Sequence, residues 1–83
     1  MLLPSKAIPA DQALLAVSAQ ILIQLERPGS VSATWERLRR WRTDQGMRSA
    51  LPFSWFALAL DVLYTIDVIE LHDGELVRKS RAV

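Results

Sequence analysis

The sequence predicts a single winged helix-turn-helix domain, α+β but mainly α, with three helices followed by a two-stranded β-hairpin wing. Two observations lead there. The first is the stretch over residues 53–71, FSWFALALDVLYTIDVIEL, in which apolar residues recur at helical spacing and then give way to a β-branched run. The second is the His72-Asp73-Gly74-Glu75 sequence that follows, an Asp-Gly turn of the hairpin type, with Leu76-Val77-Arg78 as the return strand. A chain of 83 residues supports one domain. Residues 1–83 are therefore read as one unit, with an extended arm over 1–8 and a loose basic tail over 79–83.

Within the arm, Pro4 blocks a helix start, and the apolar Leu2 and Leu3 are expected to lie on the domain, to add a strand to the hairpin edge or to dock on a partner. Pro9 suits the first turn of a helix and Asp11 its positive end, so the first helix is expected from residue 9 or 10 to 26, ended by Pro28-Gly29. Leu14, Leu15, Ile21, Leu22 and Leu25 form its expected core face. The other face carries Ala13, Ala16, Ala19, Gln20, Ile23 and Gln24 and almost no charge. It reads either as a tolerant solvent face or as a second packing surface. Ser30-Val31-Ser32 opens the second helix, with Ser32 as the expected cap. Val31, Trp35 and Leu38 face the core, Trp41 sits at an edge, and Arg37 and Arg40 face water, so reversing their charge is expected to leave folding intact. Arg42 falls on the core side, where either the helix frays or the stem snorkels. Residues 43–52 form an exposed loop. In the third helix Ser54 is the expected cap, with Phe53 and Leu58 stapled across it. Phe56, Ala59, Leu60, Leu63 and Ile66 define its buried face, and the pattern fades at Asp67.

Composition narrows the function classes. The chain is 51% hydrophobic, which places it outside the disordered class, and it has no cysteine. Disulfides and thiolate chemistry are excluded, and a reducing compartment fits. Net charge is +1, so no global field draws the chain to nucleic acid or anionic lipid. The apolar stretch over residues 13–25 is broken by Ser18, Gln20 and Gln24 and is too short to span a bilayer. The Met1-Leu2-Leu3 opening, cut by Pro4, lacks the layout of a signal peptide. The expectation is a soluble cytoplasmic protein.

A catalytic constellation is not legible. The single histidine, His72, falls at the hairpin turn, and Asp61 and Asp67 project in different directions rather than as a carboxylate pair. The three glycines are isolated turn residues, and a metal site would lack ligands. The chain is read as non-enzymatic, without cofactor or metal.

Nucleic-acid binding is the reflex inference for this fold. Yet the outward residues of the third helix, Ser54, Ala57, Leu58, Asp61 and Thr65, include none of the bases' usual readers, and Asp61 repels phosphate. Positive charge lies at Arg37, Arg39, Arg40 and Arg42 and after the wing at Arg78, Lys79 and Arg81. Of these, Arg37, Arg39, Arg40, Arg78 and Lys79 are the candidate phosphate contacts. The alternative is a set of solvated faces balanced by nearby acids. Trp55, Leu58 and Val62 instead make an apolar ridge beside the core face of the third helix. That ridge, together with Ala16, Ala19, Gln20 and Ile23, is the candidate partner-binding surface.

The opening MLLPSKAI, the helix ALLAVSAQILIQL, the segment SVSATWERLR and the run FSWFALALDVLYTIDVIELHDGELVR resemble the small middle component of bacterial ABC-three-component systems, most of all its sixth class. The most specific parts are Leu2-Leu3-Pro4 and the pattern from Trp55 to Tyr64. The loop before the third helix is less characteristic. The resemblance implies a system that pairs a RecN- or SMC-like ABC ATPase and an effector with this middle component, acting in conflict with phages or plasmids. It implies an adaptor linking ATPase to effector, as winged helices do in condensin-like machines. The expected partners are those two proteins, with a homodimer as a further arrangement and DNA contacted weakly or through the complex. The alternative function is a sequence-tolerant DNA-binding module or a small transcriptional repressor.

Overall fold

The computed structural model describes residues 10–47 and 49–79. The expected arm over 1–8, the helix-opening role of Pro9 and the tail residues 80–83 lie outside the described residues. Three helices, α1 (Ala10–Gln24), α2 (Val31–Asp44) and α3 (Phe53–Thr65), precede β1 (Ile69–His72) and β2 (Glu75–Arg78). The two strands pair antiparallel, with His72 opposite Glu75 and Leu71 opposite Leu76. Asp73 and Gly74 both take positive φ, 52° and 79°, the backbone of a two-residue type I′ turn. An isolated bridge on the other side of β2 adds to this hairpin. Gly29 N–H donates to the Leu76 carbonyl at 3.2 Å and Leu76 N–H donates back to Gly29 at 2.7 Å. The segment between α1 and α2 is thereby fastened to the return strand of the wing, and the winged-helix arrangement closes on itself.

The core is drawn from every element: Val17 and Ile21 of α1 with Leu25 just past its end, Leu38 of α2, Phe56, Ala59 and Leu63 of α3, Ile69 of β1 and Leu76 of β2. α1 packs chiefly on α3. Trp35 leans over Phe53 and Phe56 with ring centroids 5.2 and 4.8 Å away, edge-on to the first. The buried hydroxyls of Ser18 and Thr34 are satisfied by the carbonyls four residues back, Leu14 and Ser30, each at 2.8 Å.

Several local expectations are corrected. On α1 the core face is turned toward Val17, so that Leu15 is 64% exposed and not buried. The helix is apolar nearly all round, and its sequence leaves the choice of face to its neighbours. The cap of α2 is Ser30, not Ser32: its side chain accepts from Ala33 N–H at 3.0 Å. α3 has no side-chain cap. Pro52, at φ −64° and ψ 143°, is the N-cap, and its carbonyl takes the first turn's N–H groups from Trp55 and Phe56. Ser54 therefore sits within the helix. Phe53 packs on Trp35 and Phe56 while Leu58 stays exposed, in place of the expected staple. At the other end, Ile66 is 60% exposed because the helix stops at Thr65. Asp67 takes φ 65°, and the N–H groups of Asp67 and Val68 return to the carbonyls of Tyr64 and Leu63. That is a Schellman ending with aspartate where glycine is usual. α2 ends the same way on Gly46, φ 79°, with Gly46 and Met47 N–H donating to Thr43 and Arg42.

Candidate functional site

α1 carries no basic residue in its last turn, so its final carbonyls need donors from elsewhere. Two arginines supply them. Arg37 of α2 donates to the carbonyls of Gln24, Arg27 and Pro28 at 3.3, 3.1 and 3.3 Å. Arg78 of β2 donates to Leu22 at 3.4 Å. Arg37 was expected to face water; it is half-buried and closes the end of α1. The premise for expecting its charge reversal to leave folding intact is therefore gone, and the reversal is expected to cost stability by removing these bonds.

The other sequence-predicted phosphate contacts are partly engaged too. Arg39 pairs with Glu36 at 3.2 Å and lies 5.7 Å from the centre of the Trp35 ring. Lys79 reaches Asp67 at 2.7 Å. That hydrogen bond raises the Lys79 pKa above its ordinary 10.5; burial opposes the shift, and the charges of Asp67 and Glu70 add to it. Among the described residues Arg40 alone of the five makes neither a hydrogen bond nor an ion pair with its side chain. Arg42 snorkels, as one of the two alternatives had it: it donates to Gln20 Oε1 at 2.7 Å and to the Ser49 carbonyl at 3.4 Å.

The structure gives the apolar candidates two places. On α3, Leu58 is 48% exposed, and Trp55 and Val62 are half-buried beside it. On α1, Ala16, Ala19 and Ile23 are exposed and Gln20 is half-buried. Leu15 joins that stripe, a member the sequence assigned to the core. Ile23 also lines a shallow depression with Arg27, Arg40 and Trp41, so the α1 stripe runs up to the unpartnered arginine of α2. The sequence reading missed a third place. Ala57, Leu60, Asp61 and Tyr64 of α3 face Ile69, Leu71 and Leu76 of the hairpin across an apolar groove of about 180 Å³. The signal was present in the alternation of Ile69 and Leu71 with Glu70 and His72, which puts both aliphatics on one face of β1. His72 itself is exposed at the turn, and Asp67 is committed to Lys79. Among the described residues no helix is long and apolar enough to cross a membrane.

No curated protein and no solved structure matches the chain. A family model described as ABC-three component (ABC-3C) system Middle Component 6 matches residues 3–80, and the chain belongs to that family.

Proposed function

We propose that, as the middle component of an ABC-three-component system, the chain is a non-catalytic adaptor that links the system's ABC ATPase to its effector, in bacterial defence against phages or plasmids. The observation that carries this reading is the half-exposed Leu58 between Trp55 and Val62, on the helix a DNA-binding winged helix would send into the major groove. An aliphatic and aromatic ridge there suits a protein groove and offers nothing to a base edge. The α1 stripe of Leu15, Ala16, Ala19 and Ile23, with Gln20 beside it, is the second surface. Two separate apolar surfaces are what a linker between two proteins needs. The system's ABC ATPase and effector are the partners, and a homodimer is a further arrangement.

The DNA-binding alternative rests on the basic residues. Arg37 and Arg78 supporting this alternative would have to leave the end of α1, and Lys79 would have to leave Asp67.

The test is co-expression of the chain with the ATPase and effector of its own system, followed by affinity capture and thermal melting. Leu63 is 2% exposed, so Leu63→Ala is expected to cost about 2–5 kcal/mol and lower the melting temperature sharply. Leu58→Asp is expected to leave the melt nearly unchanged and abolish capture of one partner, because it sets an unpaired charge in an apolar interface. Ile23→Asp is expected to do the same for the other partner. If Leu58→Asp unfolds the domain as badly as Leu63→Ala, the ridge belongs to the core and the reading fails. Tight, sequence-specific duplex binding by the free chain, weakening steeply with salt, favours the DNA alternative instead.

A further inference from the structure

The outer face of α1 is aliphatic, accessible and uncharged. Leu15 is 64% exposed and Ile23 48%, with Ala16 and Ala19 exposed between them. Residues 12–25 contain no charged side chain at all. Leu15, Ala19 and Ile23 follow one another at intervals of four and so form a single row along the helix.

That row fits its own reverse. A two-fold axis at Ala19, with the α1 of a second copy running antiparallel, sets Leu15 of each copy against Ile23 of the other and Ala19 against Ala19. The small alanine then lies at the crossing, where the two backbones come nearest, and the larger aliphatics interleave on either side. Ala16 meets the half-buried Leu22 of the other copy, small against large.

Charge singles out the occupant and its direction. Beyond Ile23 the row runs into the depression beside α2, where Arg27, Arg37 and Arg40 outnumber Glu26 and Asp44. Arg37 is used on the end of α1, whereas Arg27 and Arg40 make no side-chain hydrogen bond or ion pair among the described residues. At the opposite end of the row, four residues before Leu15, the sequence has Asp11. The antiparallel copy brings its position 11 to Arg27, so opposite signs meet at both ends. A parallel copy would set arginine against arginine and aspartate against aspartate.

We infer that the outer face of α1 is the contact of a two-fold dimer, formed with the antiparallel α1 of a second copy of this chain. The inference rests on the homodimer arrangement named above and gives it a surface, a symmetry and a register. It does not rest on the link between ATPase and effector: a partner protein that takes α1 displaces the second copy. The test uses the chain alone, so its failure is separate from a failure of co-expressed capture.

The chain has no cysteine, so single cysteines placed in the full chain report the contact directly. Ala19→Cys is expected to give a disulfide-linked dimer under mild oxidation, because the two-fold axis brings its two copies within bonding range. Leu15→Cys mixed with Ile23→Cys is expected to cross-link about tenfold more than either variant does alone. Stronger linking of each variant to itself would mean a parallel contact and overturn the proposal. So would linking of Ser54→Cys, exposed on α3, as fast as Ala19→Cys, which would mean random encounter. In sedimentation, Ala19→Glu sets two carboxylates face to face at the crossing and is expected to weaken the dimer about a hundredfold. If that variant does not fold, Arg27→Glu decides: the position is exposed past the helix end, and the dimer is expected to weaken about tenfold. An unchanged dimer in the deciding variant, or a native chain that stays monomeric, overturns the proposal.

Discussion

Arg37 links three parts of the chain through one side chain. Its guanidinium lies against Gly29, where an added Cβ would come within 3.0 Å of Nη2 and 3.1 Å of Cζ. The same group holds the last carbonyl of α1, Gln24, and the carbonyls of Arg27 and Pro28 in the segment that follows. Arg37→Ala leaves those carbonyls to water and to Arg78, and is expected to destabilise the fold by about 1–3 kcal/mol in a denaturant titration. Gly29→Ala pushes the guanidinium away and is expected to cost less in an Arg37→Ala background than in the native one. Equal costs in both backgrounds would separate the two residues. None of this was readable from residue types. Helical spacing gives the direction of a side chain from its own axis, and from that alone Arg37 was expected in water. It says nothing of the helix end that tertiary folding brings to meet that side chain.

The helices and the hairpin show where sequence patterns suffice. Phe56, Ala59 and Leu63 are buried as their spacing predicts, and the Asp-Gly turn sits where its dihedral preferences put it. Capping was harder to read. Ser30 and Ser32 are equally good caps by type, and the choice between them follows from the Gly29 bridge that fixes where the chain enters α2. The left-handed Asp67 is similar: nothing in its residue type demanded φ 65°. Such a backbone costs a residue with a Cβ about 1–2 kcal/mol. Asp67→Gly and Asp67→Ala both give up Lys79, but the glycine variant is expected to be the more stable by about 1 kcal/mol, read from the difference in their denaturation midpoints. The pair with Lys79 also has a pH signature. The lysine pKa is raised in the folded state, so its contribution is complete below pH 10.5 and is lost as pH climbs through the higher folded value. Melting temperatures of the native chain and Lys79→Met are expected to differ at neutral pH and to converge above that range.

For the whole molecule, the fold class and the family were legible because order and pattern are properties of the entire chain. The interaction surfaces were legible only in part. The Leu58 ridge follows from helical spacing, whereas Leu15 joined the α1 stripe because α1 offers aliphatics on every side and tertiary packing chose among them. The exposed aliphatics on both α1 and α3 predict association of the isolated chain. Sedimentation is expected to show species heavier than a monomer at high concentration, and a clean monomer throughout the range would count against both surfaces. The groove beside β1 required the three-dimensional meeting of α3 with the hairpin and is a property of neither alone.

The borrowed ending of α1 bears on how the protein is made. During synthesis α1 leaves the ribosome before α2, α3 and the hairpin, with aliphatics on nearly every side. Its terminal carbonyls wait for Arg37, and then for Arg78, which is translated 56 residues after Leu22. The strand that binds Gly29 arrives equally late. Until β2 has been made the helix lacks the contacts that finish it, and the nascent chain, more than the finished domain, is the form that needs a chaperone or a waiting partner subunit.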